Sequence, residues 1–364
     1  MRLREIDILR GIAVLLVLLH HHTFYTPFNM AGWFGVDLFF VLSGYLVSGI
    51  LFKSFKSKGT INPGSFLLRR GFKIYPLFYL VIFFSFLIES LRGEQVGLSN
   101  LLSEAFFFQN YSEGIWFHTW SLAVEEHFYI LLAFISWALY KAKQLKDARH
   151  WVLIGWLFVL SCLFMRIFQT LQLPFSNQTH LFPTHLRIDS LMMGVLLSFL
   201  HHFRRKRMIS FFQKYSIWLY GFSFLLLSPA FLLPLAHPFI HTVGYSLFAF
   251  GFSLLLGLFV TDNQINEKID RLISGRIANA LADIGRYSYG IYLIHIPFLY
   301  YGMGLIHKLP ISLPSFFEWI TYLLGSILLG RGLSKWIEQP FLSLRDRLIP
   351  AESKAISGVV RQGN

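Results

Sequence analysis

Arg10 and His21 stand at opposite ends of LRGIAVLLVLLHHHT, a run built otherwise almost entirely from apolar residues. Ionisable side chains in such a run are expensive to bury in lipid, so they are candidates for function by default. At about 100° per residue, the interval between them makes three turns plus roughly 20°, which puts both side chains on one helix face, about 16–17 Å apart along the axis. His20 and His22 diverge by about 100° to either side. A cation that can hold an anion and an imidazole that can move a proton therefore share one stripe. A plainer role also fits, with Arg10 reaching lipid headgroups and the histidines capping the interface. Consecutive histidines lack the i, i+4 spacing of helical metal ligands, so no metal site is expected.

Other stretches carry groups able to work with this pair. In GWFGVDLFFVLSGYLVSG, Asp37 falls at about the depth of His21 if the first two spans are antiparallel neighbours. A carboxylate there can fix the imidazole's tautomer and stabilise its protonated form, or it can simply bind backbone at a Gly-rich helix start. Arg69, Arg70 and Lys73 in FLLRRGFKIYP occupy one turn and suit an anionic phosphate ligand; similar clusters also set topology and touch lipid phosphates. In WFHTWSLAVEEHFYI, His118, Glu125 and Tyr129 share a face while Glu126 points elsewhere. Glu125 suits acid or base work, or a structural pairing with an intramembrane arginine. Arg187 and Asp189 in LRIDSLMMG, and Tyr292 and His295 in GRYSYGIYLIHIPF, complete a set of candidate substrate contacts with His118.

These groups must be positioned by membrane helices. The chain has 364 residues, 55% hydrophobic and only 14% charged, with a mean hydropathy of +0.54. A soluble domain needs more charge to cover its surface. Apolar runs of about 20 residues recur, as polytopic membrane proteins require. The expected spans are 6–25, 33–52, 74–91, 117–140, 151–168, 186–203, 215–233, 238–260, 284–306 and 315–336. Basic residues crowd the even-numbered connections, and the odd ones are nearly bare of Lys and Arg. The positive-inside rule then puts both termini in the cytoplasm. The net charge of +13 is thus spent on topology; no nucleic-acid-binding signature accompanies it. With Cys162 as the one cysteine, neither an internal disulfide nor a cysteine metal site is expected. The first run lacks a small-residue cleavage site and reads as an uncleaved span. The expected fold is all-α: a polytopic bundle of about ten transmembrane helices forming one domain over residues 1–345, followed by a short polar cytoplasmic tail over 346–364.

Taken in order, LRGIAVLLVLLHH, GVDLFFVLSGYL, RRGFKIYP, TWSLAVEEHFYIL, LRIDSLMMG and SYGIYLIHIPF resemble acyltransferase family 3, polytopic bacterial O-acyltransferases that modify surface polysaccharides and related glycans. The resemblance runs along nearly the whole chain. It implies transfer of an acyl group, usually acetyl, from cytoplasmic acyl-CoA to a carbohydrate hydroxyl, in the bacterial inner membrane. It carries the family's Arg-x10-His centre onto Arg10 and His21, and the first glutamate of its WSLAVEE motif onto Glu125. Two departures stand out. Lys73 occupies a position where arginine is commoner, and lysine cannot grip phosphate bidentately; His127 stands where the family often has glutamine. Many relatives also carry a C-terminal hydrolase-like domain, which is not expected here.

Together, residues and resemblance imply a mechanism. Arg10, with Arg69, Arg70 and Lys73, would hold the phosphates of acetyl-CoA or another acyl-CoA, whose extended arm reaches toward His21. His21 would deprotonate the hydroxyl of a carbohydrate or glycolipid acceptor, with Asp37 or Glu125 orienting it or sharing the proton. An acyl-histidine intermediate is the alternative chemistry. A proton-coupled secondary transporter of a small anionic or sugar substrate would also carry intramembrane Arg, His and Glu, but it often shows internal repeats with broken helices in matching places, and no such repeat is evident.

Overall fold

A computed structural model describes residues 3–22, 31–93, 96–308, 310 and 314–349. Among these every regular element is a helix, with no strand. Arg2, Glu94, residues 23–25 of the first expected span and positions 350–364 of the expected tail lie outside the described residues.

The principal helices follow the apolar runs. They are α1 (Arg4–His20), α2 (Gly35–Lys58), α3 (Pro63–Arg92), α4 (Leu98–Ala105), α5 (Trp120–Lys141), α6 (Ala148–Gln172), α7 (Ile188–Phe203), α8 (Arg205–Lys214), α9 (Ser216–Leu227), α10 (Tyr245–Thr261), α11 (Ile265–Ile273), α12 (Gly275–Arg286), α13 (Ser288–Pro297), α14 (Ser315–Leu333) and α15 (Gln339–Leu348). Their ends carry local signals. Gly59 stops α2 at φ +72°, where a side chain would be strained. Asn62 then caps α3 by accepting the Ser65 N–H at 3.0 Å, with Pro63 at the first helical position.

Among the described residues, six helical stretches are long and apolar enough to cross a bilayer, or seven if the α8–α9 pair, bent by 83°, counts as one broken span. All ten expected runs are helical over most of their length, but α1 and α7 have only 17 and 16 residues. A count of ten crossings therefore goes further than length and composition carry. These two short helices pack against α2 near the centre of the bundle, with Ala13, Val14, Leu191 and Val195 fully enclosed.

Small residues allow that centre to close. A Cβ on Gly44 of α2 would meet the Leu191 carbonyl oxygen of α7 at 1.9 Å, and one on Gly194 would meet the Val41 carbonyl oxygen at 2.1 Å. The two backbones touch there, as helices in lipid do when driven by packing. Gly44→Ala is expected to lower the melting temperature of the detergent-purified protein. Gly221→Ala, which meets nothing within 4 Å, should leave it unchanged. Equal melting of the two variants would contradict this contact.

Candidate active site

Arg10 sits in the middle of α1, and His21 is the residue that caps the helix, with αR backbone angles. The common face expected of the pair thus extends through the last helical turn. Gly32 brings the following chain onto this turn: a Cβ there would meet the Leu16 carbonyl oxygen at 2.3 Å and the His20 Cβ at 2.7 Å.

Four cavities linked by shared walls run from Arg10 past His21. The first, of about 90 Å³, is lined by Arg10, Ser43, Arg70, Lys73, Glu125 and Tyr289. Arg10, Glu125 and Tyr289 also wall the second, of about 70 Å³, together with Val36 and Tyr292. Val36 and Tyr292 continue into the third, again about 70 Å³, where His20, His21, His118 and Arg187 appear. His21 and Phe117 pass into the fourth, of about 550 Å³. The row has a cationic end and an imidazole further along.

At the cationic end, Arg70 donates to the Tyr129 hydroxyl at 3.0 Å and lies over the same ring at 4.6 Å. Tyr129 donates in turn to Glu125 at 2.5 Å, and its oxygen is 2.6 Å from the Ser43 hydroxyl. Glu125 therefore works beside Arg10 and Arg70; it does not line the cavity of His21. Glu126 points away, accepting from Tyr75 of α3 at 3.0 Å. Arg69 leaves the expected phosphate cluster. It donates to the Ile349 carbonyl and pairs with Asp346 at 3.3 Å, and it walls none of the four cavities. Adjacent helical residues diverge by about 100°, so Arg69 and Arg70 cannot serve one pocket from one turn.

Around His21 the ring centroid of His295 is 5.2 Å away, and His118 lies 4.8 Å from His295. Carbonyls fix the tautomers of His295 and His118. His295 Nδ1 faces the Tyr292 carbonyl, and His118 Nε2 faces the Leu293 carbonyl at 3.2 Å. A carbonyl only accepts, so those nitrogens carry the protons. His295 Nε2 and His118 Nδ1 are left as buried lone pairs without a hydrogen-bond partner among the described residues. The Tyr292 hydroxyl donates to the His118 carbonyl at 2.6 Å and meets Ser121 at 2.6 Å. Tyr292 is thereby a brace for His118 as well as a cavity wall. Outside the spans, Glu104 braces the same segment, accepting from the Trp116 N–H at 3.0 Å and the Thr119 hydroxyl at 2.9 Å; burial pushes its carboxyl up to about 7.

Asp37 is not the partner of His21. It accepts from Arg187 at 2.6 Å, and both side chains are buried. Arg187 also stacks over the Tyr245 ring at 3.7 Å. Asp189 pairs with Arg166 at 2.8 Å and with Ser246 at 2.9 Å, and it walls none of the four cavities. Depth along one helix was readable from the sequence; the azimuth that turns Asp37 toward α7 was not. Arg187 still lines the His21 cavity, and its Nε and Nη1 have no hydrogen-bond partner among the described residues. Ser43 and Tyr289 were missed as cavity walls, and Arg166 as the partner of Asp189. Arg166 alone left a signal, as an arginine inside an apolar run.

Removing one member of a buried ion pair strands the other charge, at about 3–5 kcal/mol. Asp37→Ala is accordingly expected to lower thermal stability and yield sharply. A variant that melts like wild type yet has lost activity would return Asp37 to the chemistry.

No solved structure matches the chain. Among curated proteins it is similar to the peptidoglycan O-acetyltransferase OatA of Listeria monocytogenes, with 28% identity over 92% of this chain and 55% of that protein. It is also similar to the O-acetyltransferase OatA of Staphylococcus aureus, with 25% identity over 83% of this chain and 52% of that one. The chain spans about half the length of these relatives. A family model described as an acyltransferase domain matches residues 3–333, from the start of α1 to the end of α14. The protein is therefore an integral membrane chain that belongs to acyltransferase family 3.

Proposed function

We propose that this protein moves an acetyl group from acetyl-CoA, taken up on the cytoplasmic side of a bacterial inner membrane, to a hydroxyl of an envelope glycan. One observation carries the reading: a row of adjoining cavities leads from Arg10, Arg70 and Lys73 to His21. Coenzyme A has the matching form, polyanionic at one end and a thioester at the other. The names of the relatives favour acetyl as the group and a wall glycan as the acceptor. The charge pattern of the connections favours the Arg70 end as cytoplasmic, with ten crossings and both termini inside.

In this scheme Arg10, Arg70 and Lys73 grip the phosphates, and Glu125, held by Tyr129, keeps the arginines apart and oriented. The pantetheine arm runs past Val36 and Tyr292. The acetyl carbonyl arrives between His21 and Arg187, whose uncommitted N–H groups point to a place for the developing oxyanion. His295 Nε2 is a lone pair without a partner among the described residues, with its ring centroid 5.2 Å from that of His21; when the donor is bound, a turn of the His21 ring would bring one N–H onto it and leave the other nitrogen basic. That nitrogen removes the proton as the acceptor oxygen attacks the thioester carbon. Collapse of the tetrahedral intermediate breaks the C–S bond, and the same proton passes to the departing thiolate, giving an O-acetyl ester and free CoA.

Membranes containing His21→Ala are expected to bind acetyl-CoA normally and to lose acetyl transfer by about 100-fold or more. Arg10→Ala should weaken acetyl-CoA binding by about tenfold or more. Transfer at the wild-type rate by well-expressed His21→Ala would remove the proposed base.

A further inference from the structure

The fourth cavity has no role in donor binding as set out above. It lies at the far end of α3 from Arg70: Glu89 in its wall is nineteen residues further along that helix, about 28 Å. His21 and Phe117 are its shared wall with the cavity where the thioester would arrive. Beyond them its wall carries three aromatic rings, Trp116, Tyr300 and Tyr301, beside the aliphatic Val96, Ile115, Ile296 and Leu299. Trp116 meets Tyr300 at 6.0 Å and Tyr301 at 5.5 Å, both edge to face. Hydrogen bonds hold Trp116 in place. The Trp116 indole donates to Ser85 at 2.8 Å, its backbone N–H is held by Glu104, and a π-helical turn, Phe298–Gly302, presents the tyrosines. Such turns gather at functional sites.

We propose, resting on the acyl-transfer reading, that this cavity is the acceptor site and receives a glycosyl unit stacked on Tyr300 and Trp116, with a hydroxyl directed at His21. A sugar ring has an apolar C–H face, which packs on aromatic faces, and a rim of hydroxyls, which need polar partners. Glu89 supplies such a partner; it is 8% exposed and stands in the same wall. Arg92 lies over Tyr300 at 5.2 Å, adding a charged group at the rim. Arg92 also pairs with Glu89 at 3.5 Å, so the wall offers a carboxylate and a guanidinium side by side to a rim of hydroxyls, and an alkyl chain would need neither. The volume of about 550 Å³ leaves room for a saccharide unit.

The test uses membranes and cells carrying the full chain as wild type, Tyr300→Leu, Tyr300→Phe and Glu89→Gln, with expression and melting checked. Tyr300 is 50% exposed, so its replacement leaves the buried core intact. Radiolabelled acetyl-CoA reports donor binding, and mass spectrometry of envelope glycans reports transfer. Tyr300→Leu is expected to cut glycan acetylation by about tenfold or more while acetyl-CoA binding stays within about twofold; Tyr300→Phe should recover most of that loss, and Glu89→Gln should fall between. Unchanged acetylation by Tyr300→Leu would overturn the stacked sugar and fit an apolar chain instead. An equal loss of acetyl-CoA binding would assign the cavity to the donor. If the wild-type protein neither bound acetyl-CoA nor added acetyl groups, the acyl-transfer reading would fall and take this inference with it; normal wild-type transfer with an insensitive Tyr300 would sink the inference alone.

Discussion

A charge enclosed in an apolar bundle must either be paired or open onto a cavity, and this constraint sorts the polar residues of the protein. Two pairs, Asp37 with Arg187 and Asp189 with Arg166, are almost wholly buried. They tie α2, α6 and α7 together, and Ser246 of α10 joins the second pair. An unpaired member would cost several kcal/mol, so these bonds give the helices a defined register. Arg10, Glu125 and His21 also meet the second condition. Each faces a cavity, and the cavities adjoin.

The same constraint acts on the histidines. His118 and His295 each spend one ring nitrogen on a main-chain carbonyl, which fixes their tautomers without any acidic partner. His21 is the member of this trio that walls two cavities at once. A base in that position needs no carboxylate beside it if neighbouring lone pairs hold its proton in place. The proposed chemistry therefore rests on imidazoles presented by α1, α13 and the turn before α5, helices brought together by packing of small residues and by the Tyr292 and Glu104 braces.

Much of this was legible in the sequence. Apolar runs located the helices, and the Arg10–His21 interval located the row, because both depend on periodicity within a single element. What depended on the azimuth of one helix about another was hidden. Asp37 and His21 are at similar depth, yet the Asp37 carboxylate turns to Arg187. Arg69 and Arg70 are neighbours in sequence, yet one faces α15 and the other a cavity. The aromatic chamber was hidden for a further reason: Trp116 and Phe117 come from a connection, and Tyr300 and Tyr301 from a π-helical turn that no hydropathy pattern signals.

The most direct measurement is a cryo-EM structure with a non-hydrolysable acetyl-CoA analogue bound. The account predicts phosphate density against Arg10, Arg70 and Lys73, with the acyl end in hydrogen-bond reach of His21. Density for the nucleotide elsewhere, or an acyl end on the opposite side of Arg10 from His21, would contradict it.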